Sequence, residues 1–349
     1  MNPAWGAVGR KKLYQKFKRK GEGNMKKKVL GIILAGCMCA GLTLTAGVGV
    51  ENVQAADKKL VYISRDMTDP FGAWLANSMQ EKGEAAGYKV TVMDEQNDAA
   101  KCVEMLENAK NSSPDAIVLQ PTSDAQVLNT INSIRDEGIP VVVVNLTLPE
   151  DPEGAPTVLC DDITLGKTIG AVAAENLPEN ANIVILNGIP GFSVSLDRRE
   201  GFQEGLLDAR DDITVLDELD ASFNKDEAMN AMDDWLQKYD NIDGVICQSD
   251  GMALGAIESY KSNNKDISDV QFYGIDGLAD GCLSIEAGEL TATVLQDANA
   301  MADRAIEMVN GLLDGSIEGN PIESIDAEVI TKDNVEDMIA SHKENYQTK

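Results

Sequence analysis

From Lys59 onward the chain alternates two kinds of segment, and that alternation narrows the available folds more than any other feature. Apolar, β-branched runs occupy Leu60–Ser64, Val90–Met93, Ala116–Gln120, 138–144, Ile183–Leu186, Thr214–Leu216, Gly244–Gln248, Val270–Ile275 and Ala292–Leu295. Between them lie stretches with helical spacing: Phe71, Trp74, Leu75 and Met79 before Gly87, then Ala99–Asn111, Ser123–Glu137, Arg198–Ala209, Lys225–Lys238, Met252–Tyr260 and Ala298–Leu313. A strand that is apolar on both faces must be covered on both faces, and a helix after each strand supplies the cover, so the pattern predicts parallel sheets in doubly wound α/β units. The length of 349 residues suits about two such units with a cleft between them. The helix 298–313 and a last strand-like run, Ala327–Ile330, have no third sheet to join and are expected to return to the two lobes.

The run from Gly244 to Ala256 shows the logic locally. A short apolar strand ends at Gln248, and after Ser249, Asp250 and Gly251 a helix begins; Asp250 is expected to cap it, its carboxylate accepting orphan backbone N–H groups. Such junctions stand at the carboxyl ends of strands, where open α/β sheets bind small molecules. Arg65, Asp66 and Asp69 follow the first strand, Asn145 the Val-rich one, Ser249 and Asp250 the central one, Asp276 and Gln296 the next two. Each alone would serve as a cap or a solvated loop residue. Together they offer carboxylates, amides and a guanidinium that suit a ligand rich in hydroxyls, with Phe71 and Phe223 available to stack on a sugar ring.

Charge and composition exclude other classes. Formal net charge is −28, and residues 1–56 hold ten Lys/Arg against Glu22 and Glu51, so the remainder carries 20 basic and 56 acidic residues. A chain this acidic is repelled by phosphate backbones, so no nucleic-acid partner is expected. The single histidine, His342, lies near the C-terminus and outside any expected cleft, which removes the commonest general base and any His-based metal site. No phosphate loop or dinucleotide fingerprint is present, and the Asp pairs 161–162, 211–212 and 233–234 lack calcium-loop spacing and read as caps or solvated faces. Neither an enzymatic activity nor a metal or other cofactor is expected.

The first 56 residues read as an extension and export signal. Met25 and three lysines precede an apolar run from Val29 to Val50 that is interrupted by glycines. Two exits are written there: 34–37 is a lipoprotein box that would lipidate Cys37, and Val53-Gln54-Ala55 suits ordinary signal cleavage. Either places the mature chain outside the cytoplasm, in the periplasm or, if lipid-anchored, at the cell surface. Cys102, Cys160, Cys247 and Cys282 are widely spaced in apolar surroundings and are expected to be buried free thiols.

Four motifs, in one order, carry a resemblance. Thr68-Asp-Pro-Phe71, 188–191 leading to 198–202, Ser249-Asp-Gly-Met-Ala-Leu-Gly255 and Gly274-Ile-Asp-Gly277 make the chain similar to periplasmic sugar-binding proteins of the ribose/galactose type, the substrate-binding components of ABC importers. The resemblance spans roughly 58–335. It implies the type I fold, with lobe 1 formed by 57–160 plus 297–325, lobe 2 by 161–296 plus 326–340, a tail at 341–349, and three hinge crossovers, near 160–163, Gln296 and 323–327. It also implies a ligand site made of Asp69, Phe71, Asn145, Arg198, Phe223, Ser249, Asp276 and Gln296, closure by hinge motion, and an ABC permease with its ATPase as partner. A monomer is expected, bound to the membrane only through a lipid anchor. The chain departs from the ribose pattern where Ser249 replaces Asn, Asp69 replaces Asn, and Asn145-Leu146 replaces Asp-Arg. Loss of that Arg removes a forked donor, leaving hexose, other pentose and cyclitol ligands open. The same fold would also serve a chemotaxis or sensing receptor, or one for a furanone-like signal.

Overall fold

The computed structural model describes residues 58–122, 127–148 and 154–344. The export signal, Cys37 and the start of the helix expected from Ser123 lie outside them. Among the described residues, twelve strands form two six-stranded sheets. The first sheet runs β2 (Tyr88–Asp94), β1 (Lys58–Ser64), β3 (Ala116–Leu119), β4 (Val141–Val144), β5 (Thr157–Cys160), β11 (Ile322–Ile325). The second repeats that order with β7 (Thr214–Asp220), β6 (Asn182–Asn187), β8 (Gly244–Cys247), β9 (Gln271–Asp276), β10 (Ala292–Leu295) and β12 (Glu328–Ile330). Pairing is parallel throughout except for β12, which runs antiparallel to β10. Each sheet therefore winds outward in both directions from its first strand, and the reversal between β1 and β3, or β6 and β8, opens a crevice at the strand carboxyl ends.

The helices are α1 (Pro70–Ala85), α2 (Ala99–Asn111), α3 (Leu128–Asp136), α4 (Asp162–Asn176), α5 (Ser193–Phe202), α6 (Lys225–Lys238), α7 (Asp250–Ser262), α8 (Ala279–Ala287), α9 (Ala298–Asp314) and α10 (Val335–Glu344). Their starts follow from capping chemistry. Asp69 accepts from Phe71 N with Pro70 at the first helical position, and Asp98, Asp161, Asn224 and Asp297 cap α2, α4, α6 and α9 in the same way. Strands β1, β3, β4, β8 and β10 are buried almost throughout, as their unbroken apolar runs require.

The chain passes from the first sheet to the second between Cys160 and Asn182, returns between Leu295 and Ile322, and crosses again between Ile325 and Glu328. Helix α9 packs on α1, β4 and β5, so the elements without a sheet of their own do rejoin the two lobes. Several elements differ from expectation. Strands β5 and β11 and helices α4, α8 and α10 had no clear sequence signal, and β7 is longer than its apolar core. The helix expected over 198–209 starts earlier, at Ser193, and after Phe202 widens into a five-residue π-helical turn, Gln203–Leu207.

The expectation that Asp250 caps α7 is wrong. Ser249 is the cap, its hydroxyl accepting from Met252 N at 3.3 Å. The Asp250 carboxylate turns inward instead, taking the Thr293 hydroxyl at 2.6 Å and Leu278 N at 2.8 Å, which ties β8 to β9 and β10. A serine reaches its own helix start with one rotatable bond, which frees the longer acid to bridge strands. Cys102, Cys160, Cys247 and Cys282 are all buried and free.

Candidate functional site

The strand carboxyl ends of both lobes meet around one cavity. It is lined by Arg65, Asp69, Phe71 and Asn145 from the first lobe, by Phe192, Val194, Arg198, Phe223, Ser249 and Asp276 from the second, and by Gln296 at the crossing after β10. All eight residues singled out in the sequence are thus brought together. Arg65, Phe192 and Val194 are additions. Arg65 was read among the polar strand ends suited to a hydroxyl-rich ligand, but the resemblance assigned it no place in the site. Phe192 and Val194 stand at the start of α5, ahead of the stretch where helical spacing was read from Arg198.

Arg198 is the hub of the second lobe. It reaches Asp162 Oδ1 from Nε at 2.8 Å, the Gln248 carbonyl from Nη1 at 2.5 Å, Gln296 Oε1 from Nη2 at 2.8 Å and, more loosely, Asp276 Oδ1 at 3.4 Å. Asp162 was expected to be a cap or a solvated residue; Asp161 is the cap, and Asp162 is buried against Arg198. The contact depends on α4 and α5 touching backbone to backbone, since a Cβ on Gly166 or Gly201 would collide with the facing main chain. Burial raises the Asp162 carboxyl to about 7 even beside the guanidinium. Gln296 links the lobes, accepting from Arg198 and donating to Asn145 Oδ1.

In the first lobe, Arg65 donates to Asn97 Oδ1 at 2.7 Å and pairs with Asp69. The guanidinium carbons of Arg65 and Arg198 each lie 5.8 Å from the Phe223 ring centroid, so the ring is in cation–π range of one cation from each lobe. Gly188 makes this arrangement possible, because a side chain there would occupy the space of the Phe223 ring. Gln248, buried behind the wall, holds the end of β6 and the start of α5, which carries Phe192 and Val194: it accepts from Gly188 N at 2.9 Å and donates to Asn187 Oδ1 at 2.8 Å and the Ser195 carbonyl at 2.9 Å. Burial pushes the Asp69 and Asp276 carboxyls above the usual range, in each case against the pull of a nearby guanidinium.

Three of the lining residues have backbone conformations that cost energy. Phe223 has φ +59°, a left-handed value that a bulky side chain rarely adopts. Asp276 has φ +132°, a region open almost only to glycine, and Asn145 has φ +75°, which Asn tolerates better than most. Asn145 and Asp276 stand at strand ends, each tied to one neighbouring strand: Asn145 N donates to the Val158 carbonyl, and the Asp276 carbonyl accepts from Gln296 N. His342, expected outside the cleft, does not line the cavity, yet it is buried beside it: its Nε2 lies 2.7 Å from the Gly277 carbonyl and its ring packs edge-on against Trp74, centroids 5.0 Å apart.

The cavity itself measures about 20 Å³, room for little more than a water molecule. Phe192 and Val194 of the second lobe share an apolar cluster with Leu146 and Leu148 of the first, so the two walls are drawn together. In this geometry the site can present donors, acceptors and ring faces to a polar ligand. Admitting one the size of a sugar requires the walls to part.

A two-sheet fold with its polar site at the facing strand ends defines a class of two-lobed binding proteins. Residues 60–317 match the model of the periplasmic binding protein domain, and the chain belongs to that family. It is 30% identical over 315 residues to the xylitol-binding protein of Mycolicibacterium smegmatis, covering 90% of this chain and 88% of that one. It is 29% identical to the ribose import binding protein of Bacillus subtilis, covering 71% and 79%. Among solved structures, an ABC transporter solute-binding protein from Bacillus halodurans with bound myo-inositol is similar at a TM-score of 0.73 and 28% identity, over 81% of this chain and 98% of that one. A galactofuranose-binding protein shares the fold at a TM-score of 0.76 and 21% identity, over 82% and 99%.

Proposed function

We propose that this protein is an extracytoplasmic solute-binding protein that captures a small sugar or cyclitol and delivers it to an ABC importer. The observation that carries the reading is the cavity: Asp69, Phe71 and Asn145 face Arg198, Phe223, Ser249 and Asp276 across it, with Gln296 at the crossing. Carboxylates and amides accept from and donate to hydroxyls, the guanidiniums donate to ring and hydroxyl oxygens, and the Phe rings cover the apolar face of the ligand. The relatives' names, ribose import binding protein and xylitol-binding protein among them, support this ligand class. So does the myo-inositol bound by the Bacillus halodurans protein.

The mechanism is hinge closure. Lobe 1 comprises 57–160 with 297–325 and lobe 2 comprises 161–296 with 326–340, and the chain bends where it crosses between them. Ligand binds one wall of the open form, the second closes on it, and the closed state is favoured by the contacts it alone makes. Side chains that would otherwise act as acids or bases serve here as fixed acceptors, so the protein releases its ligand unaltered. The working form is a monomer, attached to the membrane at most through lipid on Cys37. Among the described residues no helix is long and apolar enough to cross a membrane. Thermal unfolding with ribose, arabinose, glucose, galactose, xylitol and myo-inositol tests the reading. A ligand at a hundred times its dissociation constant adds about 2.7 kcal/mol of stability. No shift with any of them refutes a sugar or cyclitol ligand.

A further inference from the structure

We infer that Arg65, not Arg198, is the principal guanidinium that reads the ligand, and that it sets specificity from the first-lobe wall. The inference rests on the sugar-or-cyclitol reading above and starts from a count of donors. A guanidinium has five N–H groups. Arg198 spends four of its contacts on the protein, at Asp162, the Gln248 carbonyl, Asp276 and Gln296, and is left with one N–H. Arg65 makes two, to Asn97 and Asp69, so among the described residues its Nε–H and one N–H on each terminal nitrogen remain uncommitted. Yet Arg65 is only 4% exposed and lines the cavity. Water cannot serve those donors freely at that depth, whereas a ligand oxygen in the cavity can.

The neighbouring wall points the same way. The residue after Asn145 is Leu146, buried in an apolar cluster with Val143, Leu148 and Phe192. That position offers no donor. Arg65, entering from the end of β1, is the forked donor that the first lobe brings to the cavity. A guanidinium with three free N–H groups spans two neighbouring oxygens, and an epimer with one of them inverted loses a bond while leaving a buried donor unpaired. Asn97 and Asp69 fix the fork from behind, and the Phe223 ring lies 5.8 Å from its carbon, which limits its rotation.

The test compares wild type, Arg65→Met and Arg65→Lys by calorimetric titration with the ligand that shifts the melting temperature most and with that ligand's epimers. Arg65→Met is expected to bind the best ligand about ten- to a hundred-fold more weakly and to narrow the gap between epimers. Arg65→Lys, which keeps the charge without the fork, should restore part of the affinity and little of the discrimination. Equal weakening for all epimers would mean that Arg65 only shapes the wall, and unchanged binding by Arg65→Met would mean that it faces no ligand; either overturns the inference while the sugar reading stands. If Arg65→Met does not fold, the epimer ratio of Arg65→Lys decides: a wild-type ratio overturns it. A wild type that binds none of the sugars or cyclitols overturns the reading and the role of Arg65 together.

Discussion

Replacing Arg198 by Met removes the charge at the hub of the second lobe while keeping an unbranched stem. Two buried carboxylates, Asp162 and Asp276, lose their counter-charge, and Gln296 and the Gln248 carbonyl lose a donor. Deleting one partner of a buried ion pair costs about 3–5 kcal/mol, because the stranded charge is left in a poorly solvating interior. For a protein of this size that corresponds to a fall of about 5–8 °C in melting temperature. The deficit should depend on pH. The Asp162 carboxyl titrates near 7 with Arg198 present, and higher without it, so acid neutralises the stranded group. Melting curves at pH 7.5 and 5.5 should therefore show a large gap between variant and wild type that shrinks on acidification. Adding Asp162→Asn to Arg198→Met should recover much of the loss at pH 7.5. A gap below about 1 kcal/mol at pH 7.5, set against the range expected for a broken buried pair, would refute the hub argument, as would a gap that ignores pH.

Three further outcomes follow from the geometry. Glu95 and Asp162 are raised by burial to about 7 from ordinary values of 4.5 and 3.8, so the stability they contribute is complete below those ordinary values and is lost as pH rises through 7; melting temperature should climb from pH 8 to pH 5 and fall only in stronger acid, where the lowered Asp212 and Asp217 carboxyls begin to take protons. A steady decline from pH 8 to pH 5 would contradict this. Ser249→Ala should cost about 1 kcal/mol in chemical denaturation, because Asp250 is held by Thr293 and Leu278 and cannot take over the cap; no loss would mean that the cap is made otherwise. Gly188→Val should displace the Phe223 ring and weaken ligand binding in titration by tenfold or more, at a stability cost of about 1–3 kcal/mol; wild-type affinity would show that the ring is not part of the site.

How far the sequence could be read depended on the kind of force at work. Strands such as Val141–Val144 and Ala292–Leu295 were legible because full burial demands an unbroken apolar run. Strands β5 and β11 were not: Ile322–Ile325 is half-exposed at the sheet edge and pairs with a segment 165 positions earlier, which no local pattern reveals. The positions of Asp69, Asn145, Ser249, Asp276 and Gln296 were legible because each stands at the end of a strand. Their partners were harder to see. Asp162 meets Arg198 across two helices, and only the close approach at Gly166 and Gly201 brings them together. The choice between Ser249 and Asp250 as cap was decided by Thr293, 43 residues on. Arg65 was legible as a strand-end guanidinium, but its partners Asn97 and Asp69, which leave three of its donors uncommitted among the described residues, could be seen only in space.

The position of β11 at the edge of the first sheet bears on how the molecule is made. Its partner β5 ends at Cys160, and every other strand of that sheet lies earlier in the chain. The intervening segment builds most of the other sheet, so the N-terminal half cannot finish before the C-terminal half has largely formed. A chain stopped just after α9 would leave β5 as a bare parallel edge and β10 without β12, one open seam in each lobe. Residues 315–344 thus act as a clasp for both halves at once, and their loss should make the protein sticky before it makes it unable to recognise its ligand.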